Sequence, residues 1–183
     1  MFQQTAASAP DLPRSFQAWG WRYTLYPLGQ DRAEFGQAGK LLELWSRKQA
    51  ARSHGLLPAR AQFDFLDFRG LHGRIMISEV QSGPFDLLVR LWGTTQTQIL
   101  NYDRTGMLLS QCGDPRFNDI EADLRYYEEL CRLPAIGVRE GGVFWQERDH
   151  LIISYLDLPL ADDGQRVDRV LSYFSYRQEN RRS

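Results

Sequence analysis

Apolar residues first recur at helical spacing between residues 36 and 54, where Ala38, Leu41, Leu42 and Trp45 share a face until Gly55 and Pro58 in HGLLP break the pattern. FDFLDFRG then reads as a short helical turn, and from there the period shortens to that of strands. RIMISEV and FDLLVRLWG, joined through Ser-Gly-Pro, predict an antiparallel hairpin. Strict alternation in FDLLVRLW places Phe85, Leu87, Val89 and Leu91 on one face, with Leu88, Arg90 and Trp92 on the other. Helical spacing returns over residues 114–133: Asp114 is the expected N-cap, Pro115 takes the first position, and Ile120, Leu124, Tyr127, Leu130 and Cys131 form the stripe before Pro134. Three more strands are predicted over Ala135–Gln146, Leu151–Leu158 and Val167–Tyr176, with turns at ERDH and ADDG.

This order predicts an α+β domain: a five-stranded antiparallel sheet over residues 36–178 with its helices gathered on one face. Residues 1–35 read as an extended N-terminal arm with an aromatic knot, FQAWGWRY, and residues 179–183 as a solvated tail. The second sheet face is not cleanly polar, because Leu88 and Trp92 on one strand and Leu171 and Tyr173 on another point to it. It needs cover. The expected cover is either the arm, through Trp19 and Trp21, or a second subunit, so Trp19, Trp21, Leu88 and Trp92 are candidate interface residues of a homodimer.

Composition narrows the function classes. The 183 residues carry 22 Lys and Arg against 23 Asp and Glu, interspersed, so no basic stripe suggests nucleic-acid binding. No apolar run approaches the roughly 20 residues of a membrane span, and the N-terminus lacks signal-peptide regions, so a cytoplasmic protein is expected. Cys112 and Cys131 match no redox or zinc spacing, and His54, His72 and His150 lie far apart. No metal site is expected.

Three stretches carry a resemblance: LPAR with FDFLDFRGL before the first strand, RLWGT leading into DRTG, and LDLPLADDGQRVDRVLSYF at the end. Together with the element order they resemble a PAS-like family found largely in alphaproteobacterial proteins, over about Leu41 to Tyr176. The resemblance implies a sensory fold with a cavity between sheet and helices. Its candidate cavity-lining or motif residues are Val89, Leu91, Gly93 and Thr94 after the hairpin, Asp103 and Gly106 in DRTG, and Leu124, Tyr127 and Cys131 on the long helix. Gly93 is expected to let the strand end turn sharply, and the Thr94 hydroxyl to cap the helix of TTQTQIL.

DRTG invites a catalytic reading, since it is similar to the phosphorylated DKTG of ion-pumping ATPases and the DTG of aspartic proteases. Both comparisons fail. The first needs a magnesium site and a nucleotide-delivering domain; the second needs an uninterrupted triplet, which Arg104 breaks, and a second copy. Asp103 is instead expected to shape a turn through backbone amides, with Gly106 at positive φ. Flavin and haem are also disfavoured: Cys112 lacks the flanking residues of the flavin-reactive cysteine in PAS photoreceptors, and the helix over 114–133 has no histidine. No catalytic residue is expected. The resulting function is a sensory or protein-interaction module that binds a small molecule or an unidentified signalling protein. The competing reading is a small cone-shaped α+β isomerase or hydratase using buried Asp86, Glu79 or His150.

Overall fold

The computed structural model describes residues 14–29, 35–53, 55–112, 120–143 and 151–178. Among them, seven strands form one antiparallel sheet: β1 (Arg14–Ala18), β2 (Trp21–Pro27), β3 (Ile75–Gln81), β4 (Asp86–Leu91), β5 (Ala135–Gly142), β6 (Leu151–Leu160) and β7 (Arg169–Gln178). Their spatial order is β1-β2-β5-β6-β7-β3-β4. The hairpin β3–β4 and the meander β5–β6–β7 are the five strands expected from the pattern, joined where β7 pairs with β3.

The sheet has seven strands rather than five because the aromatic knot is itself a hairpin. In WRYTLYP, Trp21, Tyr23 and Leu25 alternate with polar residues and are all buried. Trp19 and Gly20 take φ of 49° and 76°, the two left-handed residues that a tight type I′ hairpin turn requires. The arm does not lie across a sheet face. β2 instead extends the sheet along the edge of β5, in register from Trp21↔Gly141 to Pro27↔Ala135.

Both faces are covered from within the chain, so the expectation of helices on one face is corrected. α1 (Ala38–Ala50) and the segment around Leu57, Phe63, Phe68 and Leu71 pack on the outer face against Ile75, Ile77, Leu156, Leu158, Leu171 and Tyr173. Trp45 is fully buried there, and its indole N–H donates to the carbonyl of Pro159 at 2.9 Å. Beyond α1 the outer face is charged and faces solvent: Glu140 sits between the exposed Arg22 and Arg177 at 3.1 and 2.7 Å. α2 (Thr94–Leu100) and α3 (Ile120–Arg132) belong to the inner side, where Tyr126, Tyr127 and Leu130 meet Tyr23, Val89, Tyr155 and Phe174. Asp114 and Pro115 lie outside the described residues.

A β-bulge explains why strict alternation misplaced the end of β4. Ser78 faces Val89 but Ile77 faces Leu91, so two residues of β4 oppose one of β3 and the side-chain parity flips. Leu91 therefore points out, 44% exposed, and Trp92 turns into the core at 6%. Neither the cavity role expected for Leu91 nor the outer-face role expected for Trp92 holds. Trp21 is likewise an inner-face core residue, while Trp19 is exposed and Leu88 half-buried.

The motifs that carried the resemblance turn out to be joints. In ADDG, the Asp163 carboxylate accepts from the amides of Gln165 and Arg166, both at 2.8 Å, and Gly164 takes a φ of +82°. The resulting turn receives the LLP segment, since Leu57 N–H donates to the carbonyl of Gly164 and Ala161 N–H to that of Pro58. Gly93 has an ordinary extended backbone, φ −68°, so it is not needed for a sharp turn. It is needed for proximity, because a Cβ there would lie 2.3 Å from the carbonyl oxygen of Gly73. Gly93 itself occupies the N-cap of α2, which makes Thr94 the exposed first helical residue and not the cap.

Candidate functional site: a donor-rich cavity over a buried charge cluster

The inner face of β5 and β6 should be apolar, yet it carries Arg139 and Asp157, only 5% and 0% exposed. They form an ion pair, Arg139 Nε to Asp157 Oδ2 at 2.9 Å. Asp157 also accepts from the hydroxyls of Tyr126 (2.9 Å), Tyr127 (3.3 Å) and Ser172 (2.5 Å). Arg139 further donates to the Tyr127 hydroxyl at 2.6 Å and reaches Asp123 on α3 at 3.4 Å. Tyr23 of the hairpin completes the cluster by donating to Asp123 at 3.0 Å. The guanidinium also stacks on Tyr155, 4.4 Å from the ring centre. Each charge thus has a charged partner and several hydrogen bonds, the condition under which buried ions are tolerated.

Local sequence makes room for the cluster. Gly137 and Gly141 flank Arg139 on the same face of β5. A Cβ at Gly137 would lie 1.9 Å from the Tyr126 hydroxyl, and one at Gly141 would meet the Trp21 ring at 2.4 Å. Burial dominates the acid–base behaviour: it raises the Asp123 carboxyl above its usual range, with Arg139 opposing, and pushes Tyr126 and Tyr127 well up.

Above this cluster lies a cavity of about 50 Å3, lined by Trp21, Tyr23, Met76, Ser78, Leu87, Val89, Trp92, Tyr102, Arg104, Leu109, Asp123, Tyr127, Arg139, Ile153 and Tyr155. Arg104 stacks over Tyr102 and Trp92, at 4.6 and 5.4 Å from the ring centres. It donates to the Tyr102 hydroxyl at 3.0 Å and to the carbonyl of Cys112 at 3.1 Å. The indole N–H groups of Trp21 and Trp92 are buried with no hydrogen-bond acceptor among the described residues. Unsatisfied buried donors are rare in folded proteins, and both of these belong to residues that line the cavity.

Of the residues expected at the cavity, Val89 and Tyr127 line it; Leu124 and Cys131 are half-buried against the same core, and burial pushes the Cys131 thiol up to about 12. Asp103 is exposed and accepts from Thr105 N–H at 2.8 Å; the Thr105 side chain first, and this backbone bond second, hold its carboxyl below the usual range. Gly106, at φ +84°, donates to the carbonyl of Val89, and Val89 N–H donates to that of Met107. DRTG is therefore a turn that seals the edge of β4 and delivers Arg104 inward. Asp103→Asn is expected to change stability by no more than about 0.5 kcal/mol, because the amide oxygen still accepts the turn bond. A urea denaturation midpoint shifted by the equivalent of 2 kcal/mol would contradict this.

The acid–base groups expected for an enzyme lie elsewhere. Glu79 is paired with Arg90 at 2.8 Å, and Asp86 is engaged by the Ser110 hydroxyl at 2.5 Å. His54 and His150 lie outside the described residues, and His72 stacks on the exposed Phe65. The Cys112 thiol donates to the carbonyl of Leu108, and burial raises its pKa. At about 50 Å3 the cavity is far below the ~300–1,000 Å3 of typical cofactor pockets, so neither a flavin nor a haem fits it in this form. No group of metal-ligating side chains occurs among the described residues, and none of their helices is long and apolar enough to cross a membrane.

Sequence reasoning missed Arg104, Asp123, Arg139 and Asp157. The available signal was a lone charge inside a strand-like run, Asp157 in LIISYLDLPL, and an arginine with a glycine two positions to either side in IGVREGG. Comparison with known proteins adds little. No family model and no curated protein matches the chain. A solved structure described as an RNA-binding light-oxygen-voltage receptor is similar over 68% of this chain and 35% of that chain, with 16% identity and a TM-score of 0.43. So distant a likeness assigns this chain neither ligand nor partner.

Proposed function

We propose that the chain is a PAS-like sensory module that binds a small molecule in the cavity between β5–β6, the β3–β4 hairpin and α3, and passes the change to a partner signalling protein. The observation that carries this reading is the set of residues that line the cavity: two tryptophans whose buried indole N–H groups find no acceptor among the described residues, beside Arg104. A module of this kind needs a pocket whose occupancy alters an exposed element. Arg104 provides the link, because it hangs on the turn that seals β4 and so couples the cavity to the surface. The isomerase or hydratase reading is less well supported, since Glu79 and Asp86 are engaged away from the cavity. Covered sheet faces also remove the main reason to expect a homodimer through Trp92.

Native mass spectrometry of protein purified from its own host tests the proposal. A small molecule released on denaturation, displaced in the Trp92→Ala variant, is the expected result. Protein that runs at its bare mass and shows no thermal shift across a panel of small metabolites would overturn it.

A further inference from the structure

We infer that the ligand of this cavity is a small carboxylate of two to four carbons, held by Arg104 and by the indole N–H groups of Trp21 and Trp92. The inference rests on the proposed binding role of the cavity and specifies its chemistry. Size comes first. A cavity of about 50 Å3 holds roughly three to five waters at ~10–15 Å3 each, which corresponds to a molecule of a few heavy atoms.

Polarity comes next. Arg139, the other lining cation, is already engaged by Asp157, Asp123 and Tyr127. Arg104 makes no ion pair with a carboxylate among the described residues, and its contacts there are a hydroxyl, a carbonyl and two ring faces. A planar guanidinium held against aromatic faces still presents donors at its edge, in the geometry that matches a carboxylate. The two indoles, 8% and 6% exposed, add neutral donors that find no acceptor among the described residues. Such groups cost free energy unless something accepts from them.

The cavity also contains one acid, Asp123, which would repel an anion if its charge were free. It is not free: Tyr23 donates to it at 3.0 Å, Arg139 lies 3.4 Å away, and burial disfavours its charged form. The remaining wall, including Met76, Leu87, Val89 and Ile153, is apolar and suits a short alkyl chain. One acceptor end and one short apolar end describe a small aliphatic carboxylate better than a sugar, a nucleotide or a polyamine.

The test uses the full chain labelled with 15N, in which the indole resonances of Trp21 and Trp92 are identified by Trp21→Phe and Trp92→Phe. Acetate, propionate, butyrate, lactate and pyruvate are titrated beside acetamide, propionamide and lactamide at matched ionic strength. The expected result is a saturable shift of both indole signals with at least one acid, at least tenfold weaker binding of its amide, and at least tenfold weakening in Arg104→Gln. Equal response to acid and amide, or undiminished binding in Arg104→Gln, overturns the carboxylate assignment. If host-purified protein carries a small molecule with no carboxylate, this inference fails while the sensory reading stands. If it carries none and no acid shifts the indoles, both fail.

Discussion

Asp157→Ala is expected to destabilise the protein by about 3–5 kcal/mol, the usual cost of breaking a buried ion pair from one side. The size follows from what remains. Arg139, 5% exposed, would keep its charge but lose its nearest carboxylate, leaving Asp123 at 3.4 Å as its partner. The hydroxyls of Tyr126, Tyr127 and Ser172 would lose the oxygen atoms they now donate to. Each orphaned donor costs on the order of 1–3 kcal/mol, and the core is too tightly packed to turn them all toward water. Urea unfolding followed by tyrosine and tryptophan fluorescence measures the change. A second variant separates the charge from the hydroxyls: Asp157→Leu combined with Arg139→Met removes the unpaired Arg139 charge at similar volume and should recover only part of the loss, because the three hydroxyls still lack their acceptor and Asp123 loses Arg139. A single substitution costing less than 1 kcal/mol would show that the cluster is wet and not the buried network described.

Why this cluster escaped the sequence reading is a matter of parity. Asp157 and Arg139 lie on the same face of adjacent strands, directly behind one another in the register where Arg139 pairs with Tyr155 and Gly137 with Asp157. Sequence alternation gives each strand two faces but does not say which face of one meets which of the next. That depends on pairing, and a turn placed at ERDH does not by itself fix the register between β5 and β6. The strands themselves were legible, because their apolar runs are long and bounded by Gly, Pro and Asp. The bulge at Arg90 and Leu91 was not, since one inserted residue changes no composition and inverts everything after it. Trp92 shows the consequence: from an assumed outer-face anchor it becomes a wall of the cavity.

The N-terminal hairpin fell between these cases. WRYTLYP alternates as clearly as any other strand, but Pro27 and the neighbouring prolines at positions 10 and 13 argued for an extended arm. Pro27 is compatible with the strand because it ends β2, opposite Ala135, where no further ladder bond is required. Asp103 was the most legible site residue: its role depends on two neighbours in the chain, and local geometry is what sequence reports best.

The hairpin's place in the sheet sets the outcome of removing it. Deleting residues 1–28 should lower stability by at least as much as truncating a buried aromatic, about 3–5 kcal/mol, and make the protein associate. Trp21, Tyr23 and Leu25 leave the inner core together, which opens one wall of the cavity and bares the ring of Tyr126, now 5.4 Å from that of Tyr23. Asp123 loses the Tyr23 hydroxyl. The whole edge of β5 from Ala135 to Gly141 loses its ladder partner and becomes a template for another chain's strand. Sedimentation velocity should therefore show dimers or larger species where the full chain gives one, with the shift growing with concentration. Tyr23→Phe is the informative control, since it removes the hydroxyl that donates to Asp123 and keeps the ring stacked on Phe16 at 4.7 Å. It should cost only about 1–2 kcal/mol and leave the sedimentation unchanged. Unaltered mass, solubility and melting in the truncated chain would mean that β5 is a self-sufficient edge and that β1 and β2 contribute nothing to the core.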